Sequence, residues 1–266
     1  MYLLSDQGVQ LLDDSSKNQV AQPGAVLALR DRVLVAGNNS SGTPVLVSVT
    51  ANGAEPVQLP AGTAAVAGMA RTGDVALLAV QTADGGLLCQ IDQTGRLTTL
   101  QRLPILPGHL AVSGQRAVVS AVSPSGVDLW AGRIGSLRPT FHEDGTFDAV
   151  DLAASGNRLV AAVNRLAAGA PIQAVVLSSS DGGHTWVTSQ PAGMTFVSSI
   201  ASDSGGTVYA AMARAHRPTQ VWGVGHDTKW RAIPGVPASE LTAQVAAVPG
   251  ALWVLSDVLT RVVSQS

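Results

Sequence analysis

The sequence predicts an all-β fold: a six-bladed β-propeller of four-stranded antiparallel blades, its last blade closed by both termini. Three observations carry that prediction. A turn followed by a short apolar strand recurs six times along the 266 residues, at intervals of 41 to 49 residues. A second series of turns runs in step with the first, so each repeat holds two hairpins and four strands, the build of a propeller blade. The apolar segments are short and rich in valine and alanine, and none shows the 3.6-residue period of an amphipathic helix.

The first turn series reads Asp31-Arg32, Gly73-Asp74, Gly114-Gln115, Gly156-Asn157, Gly205-Gly206 and Pro249-Gly250, each opening an apolar run. The second falls at 6–8, 51–53, 92–95, 135–136, 181–183 and 226–229. Its Asp-Gly, Asn-Gly and Gly-Gly steps supply the positive φ that tight hairpins need. Within one domain, 1–266, the blades are expected at 24–59, 64–102, 109–141, 147–190, 196–233, and 241–257 with 2–12. In the fourth repeat, strand a covers 147–152, strand b 158–163 and strand c 171–177, and strand d begins at Trp186. Inner strands lie between neighbouring sheets and are buried on both faces, so continuous small apolar runs suit them better than alternation. For the last blade, 241–248 and 251–257 supply two strands, and 2–5 and 9–12 supply two more. Pairing the termini removes the open edges of a cut ring. That scheme leaves 258–266 over. The other arrangement makes 258–266 the third strand, with one N-terminal strand completing the blade.

One octapeptide is more specific than the rest: Ser179-Ser180-Asp181-Gly182-Gly183-His184-Thr185-Trp186. A carboxylate at a turn accepts bonds from backbone N–H groups a few residues on, which suits Asp181. Gly183 offers a conformation closed to residues with a Cβ. Ser179 and Thr185 can bridge the hairpin by their hydroxyls, and Trp186 can anchor it by burying a large apolar surface. Segment 6–11 keeps Asp, Gly and an apolar anchor at the same offsets. Segment 92–95 carries an extra residue, 226–230 lacks the glycine, and 51–53 lacks the aspartate. The octapeptide resembles the Asp-box, Ser-x-Asp-x-Gly-x-Thr-Trp. The chain is thereby similar to the Asp-box (BNR-repeat), sialidase-like propellers, which include sialidases, other glycoside hydrolases, sorting-receptor ectodomains and photosystem assembly factors. The resemblance implies a structural role for Asp181 on a peripheral turn. It directs the search for function to the loops at the opposite strand ends.

Composition narrows the classes. Charged residues are 13% and the net charge is −2, so no basic field recruits nucleic acid. No apolar run reaches the length of a transmembrane helix, and no signal peptide is visible. The start at Met1-Tyr2-Leu3-Leu4 fits a cytosolic protein, or the mature part of an exported one with Met1 added. The family resemblance favours export. Cys89 is the one cysteine and reads as a small core residue. The five histidines lie in separate repeats or turns, so no metal-ligand spacing exists and no metal is expected. No phosphate loop, dinucleotide fingerprint or nucleophile elbow occurs, so no cofactor is expected.

Candidate functional residues come from the b–c loops and d–a connections. The connection 142–146 holds His142, Glu143 and Asp144, a histidine beside two carboxylates, able to serve acid–base work or hold a cation. The loop 214–218 holds Arg214, His216 and Arg217, which with Arg165 could form an anion-binding patch. The acidic segment 13–18 reads as a flexible connection. A sialidase needs a tyrosine nucleophile, an acid aspartate and three substrate arginines. This chain has only Tyr2 and Tyr209, and the Arg-Ile-Pro element of sialidases is absent. Other glycosidases need converging carboxylates, and the adjacent Glu143 and Asp144 need not converge. The expected function is a non-enzymatic scaffold whose loop face binds a protein partner or an unidentified ligand. The alternative is a glycan-active enzyme or lectin with its site at the funnel mouth.

Overall fold

The computed structural model describes residues 2–5, 8–11, 20–166, 172–191, 193–203, 205–225, 229–240, 242–248, 250–256 and 259–263. Among them every regular element is a strand. By their contacts the strands form two units, Met1–Leu110 and Ala111–Ser266.

In the first unit, β1 (Tyr2–Ser5) and β2 (Gly8–Leu11) form an antiparallel hairpin. Two four-stranded meanders follow. One contains β3 (Gln22–Ala28), β4 (Val33–Asn38), β5 (Pro44–Thr50) and β6 (Gly53–Pro56); the other β7 (Thr63–Thr72), β8 (Val75–Thr82), β9 (Gly85–Ile91) and β10 (Leu97–Leu103). Leu34, Ala36 and Leu46 of the first sheet pack on Leu78, Val80 and the fully buried Cys89 of the second.

The second unit holds three more four-stranded meanders. They are β11 (His109–Ser113, which starts at the unit boundary), β12 (Arg116–Ser123), β13 (Gly126–Arg133) and β14 (Ser136–Asp144); then β15 (Thr146–Ser155), β16 (Arg158–Leu166), β17 (Gln173–Ser179) and β18 (Val187–Ser189); then β19 (Met194–Ser202), β20 (Val208–Arg214), β21 (Gln220–Val224) and β22 (Arg231–Ala232). A last sheet contains β23 (Gln244–Val248), β24 (Ala251–Leu255) and β25 (Leu259–Val263).

Strand β16 shows why its sequence is continuously apolar. Leu159, Ala161 and Val163 face a core shared with β12 and β13, while Val160 and Ala162 face one shared with β19 and β20. Both faces are buried, and small side chains let successive sheets approach.

The last sheet departs from the first of the two closing schemes. Residues 259–263 are not left over: β25 pairs along β24, from Leu255↔Leu259 to Ala251↔Val263. Its β-prone Leu-Thr-Arg-Val-Val run turns back directly on β24, so the third strand comes from the C-terminal segment. Strand d of the fourth repeat starts one residue later than expected, at Val187.

The turn between β17 and β18 is built around one carboxylate. Asp181 Oδ1 accepts from Ser179 Oγ (2.7 Å), His184 N (2.9 Å) and Thr185 N (3.0 Å), and Oδ2 accepts from Thr185 Oγ1 (2.7 Å). These donors, led by the Thr185 hydroxyl, hold the carboxyl far below the ordinary carboxylate range. Gly183 has φ +94°, and a Cβ there would meet the Ala131 Cβ at 2.5 Å. Trp186 packs on the neighbouring core, tilted against Phe141 at 6.3 Å, and its indole N–H donates to Thr140 Oγ1 (3.2 Å). The turn at Asp92 repeats the cage despite its extra residue: Oδ1 accepts from Thr94 N, Thr94 Oγ1 and Arg96 N. The related turns at 6–7 and 226–228 lie outside the described residues.

Candidate functional site

The candidate residues occupy the strand ends opposite the Asp181 turn. Across β16 and β17, Leu159 pairs with Ser179 while Arg165 pairs with Gln173, six residues further along, roughly 20 Å at strand rise.

His142, Glu143 and Asp144 lie on β14, not in a connection. Strand β14 runs to Asp144 and β15 starts at Thr146, so Gly145 alone joins two sheets. It can do so because its φ is +137° and its N–H donates to Ser125 O (3.0 Å), which ties the joint to the β12–β13 hairpin. Strand alternation then separates the three side chains, with His142 and Asp144 on one face and Glu143 on the other.

His142 sits opposite Asp128 in the β13–β14 register. Its Nδ1 lies 2.8 Å from Asp128 Oδ1 and its Nε2 3.1 Å from Asp144 Oδ1. Two carboxylates bracket the ring, so the doubly protonated imidazolium, which donates from both nitrogens, fits best. The hydrogen bond to Asp128, then that to Asp144, raises the His142 pKa above its ordinary value. Asp128 carried no signal in the sequence; the hairpin register alone brings it to His142.

Glu143 points to the next sheet and forms a half-buried ion pair with Arg165. The Arg165 guanidinium also stands over the Phe147 ring, 5.9 Å from its centroid. Beside it, Asn164 is fully buried. Its amide donates to Val197 O (2.9 Å) and accepts from Val197 N (2.8 Å), bonding the open edge of β19 from the preceding sheet. Asp151 does the same further along, accepting from Ile200 N (2.8 Å) and Ser199 Oγ (3.1 Å).

The second group forms a separate cationic tip. Arg217 N donates to Arg214 O (3.1 Å), closing a hairpin turn, and His216 has φ +56°, the one positive value at a non-glycine among the described residues. Arg214, His216 and Arg217 are exposed, and Arg214 stands over Trp222 at 5.7 Å. Among the described residues no hydrogen bond or ion pair ties this tip to Arg165 or Glu143. The candidates thus form three sets: His142 with its two aspartates, Glu143 with Arg165, and the 214–217 tip. Residues 13–18 and 167–170 of the candidate loops lie outside the described residues.

A recurrent arginine escaped the sequence reading. Arg32, Arg116 and Arg158 stand at equivalent b-strand starts, and each donates to a turn carbonyl of the following sheet: Arg32 to Gln93 O (2.6 Å), Arg116 to Gly182 O (3.3 Å) and Arg158 to Gly206 O (2.5 Å). Their shared place in three repeats was the signal.

No protein-family model matches the chain, and no curated protein matches it. Among solved structures it is similar to TolB from Acinetobacter baumannii, at 11% identity and TM-score 0.56 over 88% of this chain and 64% of that one. It is similar to a chain of the nidogen/laminin complex, at 10% and 0.55 over 90% and 88%. The tricorn protease matches at 13% and 0.63 over 88% of this chain and 27% of that one. The chain thus spans less than two thirds of the TolB chain. At these identities the likeness shows the fold alone, and that fold is a six-bladed β-propeller.

Proposed function

We propose that the chain is a non-enzymatic propeller of the Asp-box kind that presents its b–c hairpins to a protein partner. One observation carries this reading. Among the described residues of the second unit five large apolar side chains are exposed, and four of them stand at b–c hairpin ends: Val122, Ile172, Leu255 and Leu259, at 40%, 41%, 51% and 47% exposure. Apolar side chains gathered at one end of the strands, with the cations of 214–217 at the same end, suit a protein surface. The cage around Asp181 supports the Asp-box resemblance. Commitment of Glu143 to Arg165, and of Asp144 to His142, speaks for binding over glycan hydrolysis, which needs a carboxylate pair free to act on one bond.

Site-specific photo-crosslinking in cells tests the reading. A crosslinker at Ile172, Arg217 or Leu255 should give discrete adducts with one partner, and one at Val187, on the far-end strand β18, should not. Adducts spread evenly, or none at the hairpins, would refute it. Turnover of a glycan panel that is lost in Glu143→Gln would establish the enzyme alternative instead.

A further inference from the structure

The first unit contains a cleft of about 580 Å³ between its two four-stranded sheets. That size falls within the range of small-ligand sites. One wall is β6 and the segment after it; the other is the Asp92 turn and the start of β10. The walls differ in charge. Glu55 stands on β6, and Arg96 precedes β10; both are exposed, with no ion pair between them. Arg32 lies on the Arg96 side, its side chain 12% exposed, donating to Gln93 O and paired with both carboxylate oxygens of Asp31 (3.3 Å). Between the walls lie Val57, Leu59 and Leu97, each packed by one side against the core of the unit. Ser48, opposite Glu55 in the β5–β6 register, also lines the cleft. It is 7% exposed, and its hydroxyl has no hydrogen-bond partner.

We infer that this cleft binds a short apolar peptide by its two charged ends. The carboxylate lies at Arg96 and the ammonium at Glu55. Apolar side chains rest on Val57, Leu59 and Leu97. The Ser48 hydroxyl, donor and acceptor at once, bonds a peptide group. Walls of opposite sign favour a ligand with opposite charges at its ends; a simple anion or cation would meet one favourable wall and one repulsive one. The residues are distinct from those of the hairpin ends, and the inference stands or falls apart from the proposed function.

The tripeptide Leu-Ala-Leu is the probe, titrated into ¹⁵N-labelled full-length protein. Amide shifts should concentrate at 55–59 and 94–99. N-acetylation or C-amidation should each weaken binding by about fivefold or more, as expected for losing a charge-assisted contact. Arg96→Gln should abolish the preference for the free carboxylate, and Glu55→Gln the preference for the free amine. Ser48→Ala should weaken binding by about threefold without lowering the thermal midpoint, since it removes an unpaired buried hydroxyl. Three results would overturn the inference: no shift at about 10 mM peptide, a dissociation constant at the weak limit for ligands of this size; equal binding of the doubly capped peptide; or shifts centred elsewhere. Acetate reproducing the full pattern would reduce the cleft to an anion site and overturn it equally.

Discussion

Replacing Asn164 with leucine should destabilise the fold by about 1–4 kcal/mol. The side chain is fully buried, and both halves of its amide bond the backbone of Val197. Val197 lies on β19, the edge strand of its sheet, so no neighbouring strand is available to take over those two bonds. Leucine matches asparagine closely enough in volume to leave little cavity, and the cost is two orphaned peptide groups at about 1–3 kcal/mol each. The added apolar burial returns roughly 1–2 kcal/mol. For a chain of this size the melting temperature should fall by about 2–15 °C. Asn164→Asp is the informative companion. It keeps an acceptor for Val197 N–H but turns a carboxylate oxygen on Val197 O, so it should be at least as damaging at neutral pH and milder in acid. Urea unfolding with an unchanged m-value is the assay. A loss below about 1 kcal/mol for the leucine variant, well under the penalty for one buried orphan, would refute the edge-capping argument. So would an aspartate variant as stable as wild type at pH 7.

Gly183→Ala should cost more than about 2 kcal/mol, because it combines a positive φ with a clash on Ala131; a stability scan showing less than about 1 kcal/mol would contradict that geometry. Arg158→Ala should lose about 1–2 kcal/mol through its bond to Gly206, whereas Arg133→Ala, exposed on β13, should stay within about 0.5 kcal/mol in the same urea assay. His142 has a raised folded pKa, so its contribution is fully present below its ordinary value near 6.5 and is lost as pH rises through the raised value. Wild type should therefore lose stability relative to His142→Gln as the pH rises above about 6.5, and parallel pH profiles would exclude the bracketed imidazolium.

The blades were legible because hairpin turns are local. Gly73, Gly114 and Gly156 all have φ between +56° and +58°, a demand met within a few residues of chain, so their spacing reads directly from the sequence. Pairing at longer range was not legible. Nothing in Leu259-Thr260-Arg261-Val262-Val263 distinguishes a third strand from a tail, since β-propensity does not name a partner. His142, Glu143 and Asp144 form a polar run that reads as a loop, yet they lie on an outer edge strand, where one face meets solvent and polarity is no bar to pairing. Asn164 ends a Val/Ala run and reads as the start of a loop. Its partner is 33 residues away in the next sheet.

The ties between sheets have a common logic. Each sheet ends at strand a in an edge whose backbone groups need partners, and packing small apolar side chains face to face cannot supply them. Polar side chains from the preceding sheet do so instead: Asn164 and Asp151 serve β19, and the Ser198 hydroxyl donates onward to Ala243 O (2.7 Å) beside β23. The arginines at b-strand starts add a second row of ties at the other strand ends, aimed at turn carbonyls. Asn164 and its neighbour Arg165, which holds Glu143, bind the sheets together at the end where the b–c hairpins emerge. A partner docking there would meet hairpins held from both neighbouring sheets, which lowers the ordering cost of binding. Loosening Asn164 should then weaken partner binding as well as stability, and the photo-crosslinking yield at Ile172 in Asn164→Leu, measured well below its melting temperature, separates this coupling from a purely structural tie.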